Sequence, residues 1–179
     1  MENQRVRLSK KMLKDALLDL LQEKSLSKIS VLEICETAQI NRTTFYKYYG
    51  SQLDLLGDIE TDFLSQMDDQ IALVLNESPN AVVAVLGSLY DKRRVFCTLV
   101  NAVPGQRFAS HFFELPSISA VFESLAEVDG FSRQHEKYIR EFVCQGTFAV
   151  LCEWLGKENP DPVSEIAEVL GDLKGKITA

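Results

Sequence analysis

A chain of 179 residues, 46% hydrophobic and 25% charged, can bury a sizeable core as one domain or as a small and a larger one, and is not a disordered segment. Its longest uncharged run, Ser78 to Tyr90, falls well short of the roughly 20 residues that span a bilayer, and its charged N-terminus lacks a leader's apolar stretch. No membrane partner is therefore expected, and the cytoplasm is the expected location. The net charge of −7 argues as a whole against nucleic acid, yet residues 1–56 carry nine Lys/Arg against seven Asp/Glu while the remainder carries ten against 19, so only the N-terminal end is suited to phosphate.

In chain order the pattern is helical throughout. Leu13, Ala16, Leu17, Leu20 and Leu21 share one face of a helix over residues 9–24, with Ser9 as N-cap. SLSKIS breaks that pattern. Ser30 and Glu33 then form a capping box ahead of Val31, Ile34, Cys35 and Ala38, a second helix of about two turns. Gln39 and Ile40 make a tight connection, and Asn41 caps a third helix from Arg42 to Tyr48 or Tyr49. Gly50 ends it in the left-handed conformation that glycine takes readily.

Ser51 caps a long fourth helix reaching Asn76, with Leu55, Leu56, Ile59, Phe63, Val74 and Leu75 as its apolar stripe and Asp58, Glu60, Asp62, Asp68 and Asp69 as an acidic solvent face. Beyond Pro79, further helices are predicted with breaks near 101–105, 115–117 and 129–132. FVCQGTFAVLC, residues 142–152, carries no charge for three turns, so its helix should be buried on every side. A last helix has Asp161 as N-cap, Pro162 at its first position and Val163, Ile166, Ala167 and Leu170 on one face. The two final helices offer either a dimer interface, through Phe142, Gly146, Val150, Trp154, Ile166 and Leu170, or an ordinary core.

The second and third helices have the spacing of a helix-turn-helix, whose second helix lies in the major groove. Projection of residues 42–49 at about 100° per residue turns Phe45 and Tyr48 or Tyr49 inward and leaves Arg42, Thr43, Thr44, Tyr46 and Lys47 outward. Threonine hydroxyls and methyls suit base edges; Arg42, Lys47 and Tyr46 suit phosphate. Read from composition alone, the same rings could equally be the core of a small bundle.

SVLEICETAQINRTTFYKYYGSQLDLL, after an amphipathic first helix, resembles the DNA-binding domain of the TetR family of bacterial transcriptional regulators, over residues 8 to about 60. The resemblance implies an all-α protein with a three-helix DNA-binding domain, residues 1–50, on a larger helical domain, residues 51–179, that dimerises and binds a small effector. It adds Ser30, Tyr48, Tyr49 and Gln52 to the expected DNA contacts. Two positions depart from the family pattern: Gln39 stands where glycine is usual and would have to turn left-handed or reshape the turn, and Gln52 replaces a lysine. The C-terminal part is similar, through Phe142, Gly146 and Trp154, to a subset common in low-GC Gram-positive bacteria. The expected function is that of a ligand-responsive repressor, homodimeric on a pseudo-palindromic duplex operator; the alternative is a helical adaptor acting through protein contacts.

Little in the sequence favours chemistry. No phosphate-binding glycine motif or H-E-x-x-H is present. Cys35, Cys97, Cys144 and Cys152 form no C-x-x-C pair, and His111 and His135 have no ligand spacing to them, so no catalytic residue, metal or cofactor is expected. RFASHFFEL reads as core with a polar edge, or as an effector pocket lined by Phe96, Phe108, His111 and Phe112. The basic run KRR at 92–94 reads as a solvated helix face.

Overall fold

The computed structural model describes residues 4–77, 81–103, 107–120 and 133–178, and side chains outside 74–81, 133–136 and 174–178. Among these residues there are helices and no strand. Nine are α1 (Gln4–Glu23), α2 (Val31–Ala38), α3 (Arg42–Phe45), α4 (Gln52–Glu77), α5 (Ala81–Asp91), α6 (Arg93–Ala102), α7 (Arg107–Phe113), α8 (Arg133–Gly156) and α9 (Val163–Thr178). A 3₁₀ turn, Leu26–Lys28, joins α1 to α2, and residues 116–120 form a short helical segment. Residues 104–105 of the break predicted at 101–105, the whole of that at 129–132, and the side chains of Val74, Leu75 and His135 lie outside the described residues.

α1 begins at Gln4, so Ser9 is an interior helical residue rather than a cap. Its apolar face does what the spacing predicts: Leu13 and Leu17 are fully buried, against α2, α4 and α6. α4 is the spine of the molecule. Its near end packs on α1 and its far length on α5 and α7, while α8 lies against α6 and α7, and α9 against α5.

The acidic face expected on α4 is a solvent face only in part: Asp62 and Asp69 are exposed, Asp58 and Asp68 are half-buried, and Glu60 is buried. Glu60 is only 3% exposed and accepts hydrogen bonds from Arg107 Nη2 at 3.2 Å and from His111 Nδ1 at 2.8 Å, which tie α4 to α7. Asp68 accepts from the Ser117 amide at 2.9 Å. Helical periodicity alone cannot separate a carboxylate facing water from one facing a cation on a neighbouring helix.

The centre of the larger part is aromatic. Phe96 packs on Phe108, Phe112 and Phe148 with ring centroids 5.5, 6.0 and 5.9 Å apart, and Phe63 lies 6.1 Å from Phe108. Phe96, Phe108 and Phe112 are at most 1% exposed, so these three expected pocket residues fill one another's space. Each such ring removed from water is worth about 1.5–3 kcal/mol. His111, the fourth, stands at the polar edge on Glu60.

α9 starts one residue later than predicted: Pro162 supplies the carbonyl that accepts from Glu165 and Ile166. Asp161 is occupied otherwise, its carbonyl accepting from Trp154 Nε1 at 2.8 Å and its carboxylate from Lys157 at 2.7 Å. Trp154 is 1% exposed and tilts against Tyr90 at 5.9 Å. The subunit's own core therefore takes up Trp154, and with it Ile166, which an interface reading would have left for a partner. The uncharged stretch of α8 is not covered on every side: Phe142 is 68% exposed, Gly146 is exposed and Val150 is half-buried, as is Leu170 on α9.

Candidate nucleic-acid interface

The site is assembled from caps. Ser30 Oγ accepts from the Glu33 amide at 3.2 Å and opens α2. The return half of the capping box is missing, because the Glu33 carboxylate turns to Lys24 Nζ instead. That hydrogen bond, the largest influence on it, holds the Glu33 carboxyl below its ordinary value. α2 closes on Gln39, the one non-glycine residue with positive φ among those described (φ 54°, ψ 37°). The Ile40 amide reaches back to the Cys35 carbonyl at 2.9 Å, and the Gln39 amide bonds to the same turn, a Schellman-type ending. Of the two outcomes open to Gln39, left-handed backbone or a reshaped turn, the chain takes the first.

Asn41 Oδ1 then accepts from the Thr43 amide at 2.8 Å and starts α3. α3 is shorter than predicted, four residues from Arg42 to Phe45. Beyond it the coil tightens: the Lys47 and Tyr48 amides bond three residues back, to Thr44 and Phe45 at 3.3 and 2.9 Å. Gly50 does not take the left-handed conformation expected of it. It leaves room for the Asp54 carboxylate, which accepts from the Gly50 amide at 3.0 Å and would lie 2.9 Å from an added Cβ. Ser51 Oγ accepts from the Asp54 amide at 3.2 Å, as a cap of α4 should.

The open inward choice is resolved in favour of Tyr49. Phe45 is fully buried and Tyr49 is 6% exposed, whereas Tyr48 is half-buried. Tyr49 was expected at the DNA, but its hydroxyl donates to Asp58 Oδ2 at 2.7 Å inside the protein, so it is not turned to a phosphate. Ser30, Arg42, Thr43, Tyr46 and Lys47 are exposed together; Thr44, Tyr48 and Gln52 are half-buried at the margin. Tyr46, 51% exposed, stands edge-on to Phe45 at 5.4 Å, so a ring facing water is steadied by one facing the core.

Sequence reasoning missed the support behind this surface. Lys14 Nζ lies 2.8 Å from Asp58 and 2.6 Å from Asp62, pinning α1 to α4 directly behind Tyr49. The signal was available: Asp54, Asp58 and Asp62 recur every fourth residue, one line of carboxylates on a helix that follows a lysine-rich one. Burial holds all four thiols above their ordinary values, Cys35 despite the opposing charge of Arg42. Among the described residues no group of three His, Cys, Asp or Glu side chains could hold a metal.

This geometry, two capped helices on a tight turn with the second presenting cations, hydroxyls and a ring, is that of a helix-turn-helix. No family model matches the chain. It is 24% identical over 167 residues to the uncharacterized HTH-type transcriptional regulator YxbF of Bacillus subtilis (strain 168), covering 85% of this chain but only 42% of YxbF, so it spans less than half of that relative. It is 26% identical over 147 residues to the dhaKLM operon transcriptional activator DhaS of Lactococcus lactis subsp. lactis (strain IL1403), covering 81% and 76%. Among solved structures, a TetR transcriptional regulator from Streptococcus agalactiae 2603V superposes with a TM-score of 0.72 at 20% identity over 95% of both chains. The fold is that of the Streptococcus agalactiae TetR transcriptional regulator, and the curated relatives that the chain resembles in sequence are both HTH-type transcriptional regulators.

Proposed function

We propose that the chain is a cytoplasmic, sequence-specific DNA-binding regulator that acts as a homodimer on a pseudo-palindromic operator. Residues 1–50 would read the duplex, and residues 51–179 would dimerise and receive the controlling signal. The observation that carries this reading is the exposed set Arg42, Thr43, Tyr46 and Lys47, held on a segment whose opposite side, Phe45 and Tyr49, is locked in the core. Such a surface can meet a major groove without rearranging.

Dimerisation is supported by Tyr138 and Phe142 on α8 and Val169 and Leu173 on α9, large apolar side chains from 44% to 71% exposed. An apolar face that the subunit leaves open suits a second copy. The sign of regulation is proposed as repression, although DhaS is named an activator. An apolar effector seated among Phe96, Phe108 and Phe112 is disfavoured by one observation, the mutual packing of those rings.

The test is a fluorescence-anisotropy titration against duplexes from upstream of the chain's own gene, with random duplex alongside. Tyr46→Ala and Lys47→Ala should each weaken operator binding and leave the oligomeric state unchanged. Unchanged binding in both would remove these residues from the interface.

A further inference from the structure

A groove of about 680 Å³ runs between α1, α4 and the start of α6, with Phe63 of the aromatic centre in its wall. Small-molecule sites occupy roughly 300–1,000 Å³. The α1 wall of this one carries Arg7, Lys10, Lys11 and Lys14, and Lys92 lines it from the α6 end. Three carboxylates share the space: Asp15, Asp58 and Asp62. Two of them are already engaged, because Lys14 sits between Asp58 and Asp62 at 2.8 and 2.6 Å. Arg7 and Lys11 have no hydrogen bond or ion pair among the described residues, and Lys92 makes only a long contact to Gln66 Oε1, at 3.4 Å, that leaves its charge uncompensated.

On a chain of net charge −7 this is a local reversal of sign. Leu18, Phe63 and Val95 supply low-dielectric walls, which strengthen the field of the cations that outnumber the carboxylates in this cleft. Scattered surface lysines would have water on every side. These cations converge on a concavity from two helices distant in sequence.

We propose that this groove binds a small polyvalent organic anion, a phosphorylated or dicarboxylate metabolite, held by Arg7 and Lys11 on one side and Lys92 on the other. The site stands without any assumption about DNA. Its regulatory consequence rests on the DNA-binding reading: a ligand spanning α1 and α6 bridges the helix-turn-helix unit and the body, and so favours one separation of the two over others.

The experiment uses the full chain without DNA, titrated with inorganic pyrophosphate or succinate and followed by thermal unfolding and calorimetry, with sodium chloride at matched ionic strength as reference. One of the two probes should give a saturable rise in the midpoint that chloride does not, and the stronger probe assigns the anion class. Lys92→Gln and Lys11→Gln should each weaken binding roughly tenfold, the loss of one charge-assisted contact. Lys47→Gln should leave it unchanged. A response equal to that of chloride, or one that survives in the Lys11→Gln/Lys92→Gln double variant, overturns the site. So does weaker binding of random duplex by Lys92→Gln with no response to either probe, which would make the groove a nucleic-acid backbone contact. Because no DNA is present in the titration, its failure leaves the operator-binding reading untouched.

Discussion

The Tyr49 hydroxyl donates to Asp58 Oδ2 at 2.7 Å, and Lys14 Nζ reaches the same oxygen at 2.8 Å. Three elements meet on one atom: the segment after α3, the spine helix α4 and the first helix. Asp58 thus fixes where the exposed face of α3 stands relative to the rest of the molecule, though Asp58 itself would touch no DNA.

Tyr49→Phe should therefore cost about 1 kcal/mol, the net worth of one hydrogen bond, and lower the unfolding midpoint by roughly 2–4 °C. The effect has a defined pH dependence. Burial, the largest influence, would raise the Asp58 carboxyl; hydrogen bonds from Lys14 and Tyr49, with the charges of Lys14 and Lys10, outweigh it and hold it below 3.8. A carboxyl depressed on folding stabilises fully above its unfolded value and loses that contribution as pH falls through the folded one. Midpoints measured from pH 7 down to 3 should show the gap between wild type and Tyr49→Phe narrowing below about pH 4. A gap constant with pH would detach the phenol from this carboxylate.

Gln39→Gly should stabilise the protein. A side chain at φ 54° meets a left-handed backbone that costs an L-residue about 1–2 kcal/mol, and glycine avoids it at the expense of extra freedom in the unfolded chain. The balance predicts a gain of about 0.5–1 kcal/mol in urea unfolding. Gln39→Val should destabilise, since a β-branched side chain tolerates this region least.

Much of this was legible in the sequence because it is local. The caps at Ser30, Asn41 and Ser51 and the apolar stripes of α1 and α4 all follow from residues within one turn of each other, whereas the left-handed demand on Gln39 comes from the family resemblance, which leaves a reshaped turn open. What stayed hidden depends on partners distant in the chain. Glu60 reads as a surface carboxylate until Arg107 and His111 meet it across α7, and Trp154 reads as an interface residue until Asp161 folds back over its indole. Tyr48 and Tyr49 are adjacent with the same chemistry, and only the position of Asp58 decides which turns in. The filling of the aromatic centre is likewise tertiary: the spacing places Phe108 and Phe112 on one face of α7, but not whether Phe96 and Phe148 close on them.

Phe142→Asp should separate the assembly from the fold. Phe142 is 68% exposed in the subunit, so a charge there costs the monomer little, whereas at the centre of an apolar interface an aromatic anchor carries about 2 kcal/mol or more. Light scattering across micromolar concentrations should show the variant dissociating with its helicity intact. Trp154→Ala, a few turns along the same helix, should instead cost about 3–5 kcal/mol of stability through the cavity it opens. If Phe142→Asp leaves the mass unchanged, the contact face lies elsewhere.

Lys47 and Thr43 should divide the two components of DNA binding. Lys47 is an exposed cation following α3, and on the proposed reading it meets a phosphate; Thr43, in the first turn of α3, would then offer a hydroxyl and a methyl to base edges. Each phosphate contact releases counterions, so Lys47→Gln should lower the slope of log affinity against log salt by about 0.9. It should weaken operator and random duplex alike, because a phosphate carries no sequence information. Thr43→Val keeps the methyl and loses the hydroxyl, so it should leave the slope unchanged and cut the preference for operator over random duplex, by about 1 kcal/mol for one hydrogen bond. Anisotropy titrations at several salt concentrations read both quantities from one data set. A salt slope altered by Thr43→Val, or a preference altered by Lys47→Gln, would exchange the two assignments and rotate the docked helix about its axis.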